Sequence, residues 1–388
     1  MLGRIAFALG LFGAFNLYFV SRLIARWPWA ERHLGVVSVL ALGFFILQLT
    51  SLLGHRLLFP ALKRTRGADT LILIVDWVSF LAFGAMSLFT IYTLLGDVFS
   101  IVWLLVRPPA DLPAFDADVL KALLSLVLGT MILGVGQAST GPVVRRVTIP
   151  IKGLPAAFAG VKIVQISDLH VGPTIRENYV QKVVDTANSL TPDLVALTGD
   201  FADGAVEDVG HHMAPLASLK APLGTFFVTG NHEYYWGPAK WIAYFRSLGA
   251  QVLLNDHVVL RRDGAALILA GITDYSTAGM ALNPSDPSKA LKGAPNGLVK
   301  ILLAHQPASY RAAQAAGFDL QLSGHTHGGQ YFPFNFLIRF FQTYYKGLNR
   351  AGSLWVYVNR GTGYWGPPLR AGVPAEITLL TLRPEVSN

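Results

Sequence analysis

An N-terminal all-α, multi-span membrane domain followed by an α/β two-sheet sandwich is the architecture predicted by this 388-residue sequence. Three observations carry it. The chain is 52% hydrophobic and only 14% charged, too apolar for an ordinary soluble protein, and the excess lies before about residue 140. Beyond that point, short β-branched runs alternate with stretches of helical apolar spacing. Most of those runs are followed at once by Asp, Asn or His, often beside a glycine, in five short islands of metal-ligating residue types.

The membrane domain, residues 1–140, contains about four apolar stretches of spanning length: Ile5 to Leu23, Leu34 to Leu53, Leu71 to Leu95 and Val119 to Val135. The first is an anchor rather than a cleaved signal, because Arg22 and Arg26 follow it directly and no small-residue cleavage site is evident. Gly96-Asp97 interrupts the long run from Leu71 to Val106, which predicts one span followed by an interfacial segment. Asp76 lies near the start of that span, where a carboxylate can reach the interface or a neighbouring helix. Arg56, Lys63, Arg64 and Arg66 between the second and third spans, and Arg145, Arg146 and Lys152 after the fourth, outweigh the acidic third loop with Asp111, Asp116 and Asp118. The positive-inside rule then puts both termini in the cytoplasm, although Arg22, Arg26 and Arg32 pull the other way.

A polar linker is expected over residues 141–160, and residues 161–388 form the second domain. Strands are predicted at Val161 to Ile166, Leu194 to Leu197, Phe226 to Val228, Ile301 to Leu303, Asp319 to Leu322, Leu354 to Val358 and Ile377 to Leu382. Helices are predicted at Glu177 to Leu190, Ala239 to Leu248 and Ala308 to Ala316. The net charge of +8 sits largely beside the spans, where it meets anionic headgroups, so it calls for a bilayer and no nucleic acid. No obligate protein partner is evident. The absence of cysteine excludes disulfides and thiol chemistry.

The ligand islands are Asp168-Leu169-His170, Gly199-Asp200, Gly230-Asn231-His232-Glu233, His305 and Gly324-His325-Thr326-His327. Ligands at the ends of successive strands converge on one rim of an open sheet. A single such His or Asp is ordinarily a cap or a hydrogen-bonded core group. A set of these types, with glycine neighbours, repeated at each strand end has no comparable structural explanation.

The pattern D-x-H, G-D, G-N-H, H, G-H-x-H resembles the calcineurin-like metallophosphoesterase superfamily over roughly the last 240 residues. The extended Ser323-Gly324-His325-Thr326-His327-Gly328-Gly329-Gln330 and the apolar N-terminal half look most like its membrane-linked branch. That branch includes YkuE- and YaeI-like proteins and the vertebrate transmembrane proteins with a metallophosphoesterase domain. The resemblance implies two divalent ions bridged by Asp200, one completed by Asp168, His170 and His327, the other by Asn231, His305 and His325. Carboxylate, amide and imidazole ligands without thiolate suit Mn, Fe or Zn. Such a pair of ions supports in-line attack on phosphorus by a water-derived nucleophile. His232, beside Asn231 and with no ligand role, is expected to stabilise the transition state and protonate the leaving group.

The implied protein is a multi-pass enzyme of the bacterial inner membrane, its catalytic domain cytoplasmic. The implied reaction is hydrolysis of a phosphodiester or pyrophosphate in a lipid-linked substrate such as UDP-2,3-diacylglucosamine, a step of lipid A biosynthesis. General phospholipid or cell-envelope phosphodiesters are the alternative substrates. A membrane sensor that binds a phosphorylated ligand without turnover is the alternative of another class. Arg176 and Arg360 are candidate phosphate contacts. The aromatic run Tyr331 to Tyr345 reads as a hydrophobic lid, a membrane-dipping element or a core helix.

Overall fold

The computed structural model describes residues 2–54, 68–276 and 283–385. The chain forms two compact units, Met1–Gly136 with Gly366–Leu369, and Gln137–Trp365 with Arg370–Asn388.

The first unit is helical, with long helices Leu2–Arg26, Leu34–Leu53, Ala68–Val106 and Leu112–Thr140. Among the described residues, three helices are long and apolar enough to cross a membrane: Leu34–Ser51, Ala68–Val106 and Leu112–Thr140. The basic cluster Arg56, Lys63, Arg64 and Arg66 lies outside the described residues.

The expected break at Gly96-Asp97 does not occur: Ala68–Val106 is one continuous 39-residue helix. At 1.5 Å per residue it is about 58 Å long, well beyond the ~30 Å hydrocarbon core. Gly96 marks a close helix approach, since a Cβ there would lie 3.1 Å from both methyls of Leu123. Asp97 is tolerated because its charge is met: the Tyr18 hydroxyl donates to it at 2.6 Å, and Arg22 and Arg26 pair with it at 2.8 and 2.6 Å. Asp76 is fully buried within this unit.

The second unit carries two six-stranded mixed sheets. The expected linker is instead largely strand β1, Val143–Ile151, paired in parallel with β12, Glu376–Pro384. Its alternating Val, Ile and Thr positions, hidden in sequence by Arg145, Arg146 and Pro150, let it add to a sheet edge. The remaining strands are β2 Lys162–Ile166, β3 Leu194–Leu197, β4 Thr225–Phe227, β5 Gln251–Val252, β6 Asp256–Arg262, β7 Ala265–Gly271, β8 Lys300–Leu303, β9 Leu320–Ser323, β10 Gly347–Ala351 and β11 Leu354–Val358. The sheet orders are β1-β12-β2-β3-β4-β5 and β10-β11-β9-β8-β7-β6. Strands β2 to β5 run parallel in the first sheet, as do β11, β9, β8 and β7 in the second.

The uninterrupted apolar runs follow from burial on both faces. Ile163, Leu194, Ala196 and Phe226 face Leu269, Ile301, Leu303 and Leu322 between the sheets. Their neighbours Val164, Val195, Leu197 and Phe227 pack outward under Val180, Val183, Trp241 and Phe245 of the helices Glu177–Ser189 and Pro238–Ser247. Ile268, Leu302 and Val356 do the same for the second sheet with Ala313 and Phe318. This sandwich fixes β2, β3, β4, β8 and β9 with their carboxyl ends at one rim.

Asp97→Ala is expected to destabilise the helical unit by on the order of 3 kcal/mol, because the Arg26 side chain, 7% exposed, loses its near counter-charge and keeps only Asp116 at 4.0 Å. Thermal unfolding of the full chain in detergent, with the exposed Asp118→Ala as control, measures it.

Candidate metal centre

Each ligand island is a sharp turn at the end of a strand. Asp168, His170, Asp200, His325 and His327 all adopt positive φ, between 50° and 72°. Such backbone costs of order 1–3 kcal/mol at a non-glycine residue and persists where a site demands it. Gly324 solves a different problem: a Cβ there would lie 2.1 Å from Asp168 Oδ2 and 2.0 Å from Ser167 Oγ. Its absence lets the β9 turn lie on the Asp168 carboxylate, which accepts the His325 backbone N–H at 2.8 Å.

Asp168, His170 and His327 form one group with ligand atoms within 4.8 Å of one another. The Nε2 atoms of His170 and His327 are 3.0 Å apart, and His327 Nε2 is 3.6 Å from Asp168 Oδ1. Arg370, fully buried, brings Nη2 to 2.8 Å from His327 Nδ1 and holds the ring in this orientation. Burial and the Arg370 charge hold the His327 pKa well below its ordinary value, so the imidazole is neutral.

Asp200, His305 and His325 form a second group. His305 donates from Nδ1 to the Thr198 carbonyl at 2.8 Å, which leaves Nε2 facing Asp200 Oδ2 at 3.0 Å and His325 Nδ1 at 3.2 Å. Burial and neighbouring His305 bring His325 down to about 3. Asn231 is buried beside them, its Nδ2 donating to the Tyr235 hydroxyl at 3.3 Å while Oδ1 has no hydrogen-bond partner. Buried acceptors turned toward one another, with an orphaned amide oxygen among them, are the arrangement that a bound cation satisfies.

Two acidic residues without an assigned role in the sequence reading organise the rim. Asp203 lies 3.2 Å from His170 Nδ1 and 2.5 Å from His232 Nδ1. It therefore takes both Nδ1 protons, which leaves His170 Nε2 free to act as a ligand atom, as carboxylates behind metal-ligating histidines do, and leaves His232 Nε2 as the seat of that ring's second proton. Burial opposes the Asp203 charge, but His170 and His232 hold its carboxyl well below the usual range. Burial also opposes charge on His232, yet Asp200 and Asp203 raise it to about 9, and its Nε2 stands 3.8 Å from Asp200 Oδ2. Glu233 accepts the backbone N–H groups of Asp200, Phe201 and Gly230 at 2.7 to 3.0 Å, tying the β3 and β4 turns together.

A family profile described as calcineurin-like phosphoesterase matches residues 161–329. The transmembrane protein with metallophosphoesterase domain of Danio rerio is 35% identical over 326 residues, 79% of this chain and 74% of that protein. The chain belongs to the calcineurin-like phosphoesterase family. The zebrafish match is longer than the second unit, so it extends into the helical half. The protein of the same description from Bos taurus is 39% identical over 68% of this chain, which spans 63% of that relative's length. Metallophosphoesterase YkuE of Bacillus subtilis is 35% identical over 61% of this chain and 84% of its own.

Members of this family are metal-dependent phosphoesterases, and the residues gathered here fit divalent ions. The structure brings Asp168, His170, Asp200, Asn231, His305, His325 and His327 to one rim, with His232 beside them. Arg176 and Arg360 make their polar contacts elsewhere. Arg176 precedes the helix Glu177–Ser189 and donates from Nε to the Pro173 carbonyl at 3.2 Å. Arg360 ion-pairs with the buried Glu376 at 3.4 Å, a carboxylate that Arg145 also meets at 3.1 Å.

Asp203 and Glu233 carry a local signal, each lying within three residues of a predicted ligand. Arg370 carries none, because it reaches His327 from 43 residues away.

Gly324→Ala is expected to weaken metal retention at least tenfold by displacing Asp168, with secondary structure unchanged. Metal content after dialysis, set against circular dichroism, measures it. Full retention would remove the close approach as the reason for this glycine.

Proposed function

We propose that this chain is a membrane-bound dimetal phosphoesterase that cleaves a phosphodiester or pyrophosphate bond in a lipid-linked substrate. The observation that carries the reading is the pair of ligand groups, Asp168/His170/His327 and Asp200/His305/His325, with a protonated His232 at their edge. Two divalent ions held there would polarise the phosphoryl oxygens, acidify a water for in-line attack and draw the His232 pKa down toward neutral.

The chain's own part follows from placement. Asp200, a member of the second group, meets His305 Nε2 at 3.0 Å and accepts the His232 backbone N–H at 2.8 Å, so it fixes the ligands and the acid in one frame. His232, its Nδ1–H held by Asp203, would present Nε2–H to the substrate and pass the Nε2 proton to the departing oxygen, leaving a neutral ring protonated at Nδ1. Arg370 and Asp203 maintain ring orientation from behind.

Helices of spanning length and relatives named as transmembrane proteins favour a substrate met at a bilayer. UDP-2,3-diacylglucosamine, cleaved to UMP and a lipid monophosphate, is the first such substrate to test, and general envelope phosphodiesters are the second. The basic residues Arg145, Arg146 and Lys152 that follow the last span favour a bacterial inner-membrane enzyme working on the cytoplasmic side.

Full-length protein in detergent with Mn²⁺ is expected to release UMP from UDP-2,3-diacylglucosamine, and Asp200→Ala to lose both metal and turnover. Hydrolysis of a generic aryl phosphodiester without UMP release would keep the dimetal mechanism and discard this substrate. His232→Ala is expected to retain metal and to slow an alkyl phosphodiester about 10²–10⁴-fold. A p-nitrophenyl ester, whose leaving group needs no proton, should lose much less. Equal losses on the two esters would show that His232 is no general acid.

A further inference from the structure

The aromatic run after the last ligand island is neither wholly core nor an enclosed helix. Tyr331 and Pro333 are buried, whereas Phe340 and Phe341 are 77% and 80% exposed, with Phe332 and Phe336 also outward. A helical turn, Phe334–Leu337, and a 3-10 turn, Ile338–Phe340, present these rings. So much exposed aromatic surface in one short element marks an interaction site.

The charges beside it identify the partner. Arg339 lies over the Phe336 ring at 5.6 Å and Lys346 over Tyr345 at 5.3 Å, and among the described residues neither pairs with a carboxylate. No Asp or Glu occurs between Asp319 and Glu376, although Arg350 in that interval is paired with Glu385. Phe341 also walls a cavity of about 230 Å³ whose other sides include Tyr310, Tyr344 and the cation Arg311. Exposed phenylalanines flanked by unpaired cations match the acyl–headgroup boundary of an anionic bilayer, aromatic rings in the apolar layer and cations at the phosphates. A soluble acidic partner would use the cations and leave Phe340 and Phe341 in water.

We propose that the segment from Phe332 to Lys346 is a bilayer-contacting element of the catalytic unit, inserting Phe340 and Phe341 among anionic lipids. It starts five residues beyond the candidate ligand His327. Gln330 exchanges two hydrogen bonds with the backbone of Trp365, whose ring lies 6.0 Å from that of His232. The segment therefore begins two residues beyond a side chain tied to the site's edge. Its contact with lipid does not depend on which phosphate ester is cleaved.

The cysteine-free sequence makes the test direct. Phe341→Cys in the full chain, nitroxide-labelled and placed in nanodiscs of phosphatidylethanolamine and phosphatidylglycerol, is compared with Lys182→Cys at an exposed polar site. Collision rates with oxygen and with a water-soluble nickel chelate report depth. A several-fold higher oxygen-to-nickel ratio at 341 than at 182 is the expected result, repeated with Phe340→Cys. Equal ratios at both sites would overturn the proposal. Strong dipolar broadening between labels at 341 would overturn it in favour of a second copy of the chain. Because the readout is collisional, it is independent of turnover.

Discussion

The second unit is organised around a buried carboxylate, Asp200, that needs positive charge. It is 2% exposed, sits in left-handed backbone at the end of β3 and faces the second sheet through His305. Its own backbone N–H is held by Glu233, and its Oδ1 receives the N–H of His232. Removing such a group from water costs several kcal/mol unless cations or donors replace the hydration. The histidines of both sheets and the missing side chain at position 230, which lets the β4 turn close on the Asp200 carboxylate, serve that replacement. Metal binding and the geometry of the sandwich are thus one thermodynamic problem.

Much of this was legible because it is local. Parallel strands buried on both faces leave apolar runs such as Ile163 to Ile166, and residues immediately beyond a strand end must lie at the rim. That logic puts the seven expected ligands at the rim, but it did not single out Asp203, which groups with His170 and His232. It could not locate Arg370, whose approach to His327 depends on how the last loops return across the rim. Nor could it distinguish β1 from a linker, since an edge strand with arginines and a proline has the composition of a connection. The strands β5, β6 and β10 were missed for a related reason, their apolar positions being few or interrupted by charge, whereas β7 is an uninterrupted apolar run that the pattern does carry.

The helical unit corrected a different assumption. Gly96-Asp97 looks like a break when hydropathy is read along a single line. In three dimensions the glycine allows Leu123 to approach, and the aspartate is neutralised by Arg22 and Arg26 from another helix. Polar residues within apolar helices mark neighbours as often as they mark ends. Asn16 and Gln48, which exchange two amide hydrogen bonds across helices at 3.1 and 3.0 Å, are a second instance.

The position of β12 bears on how the chain is made. It lies between β1 and β2, paired with the first on one side and the second on the other, yet it is the last strand of the twelve to be synthesised. On the ribosome, β1 has no strand to join until Glu376–Pro384 has emerged. The apolar helices that precede it have by then had the entire elongation time to insert. Closure of the first sheet thus acts as a late, vectorial step, and β1 waits unpaired until Glu376–Pro384 has been made.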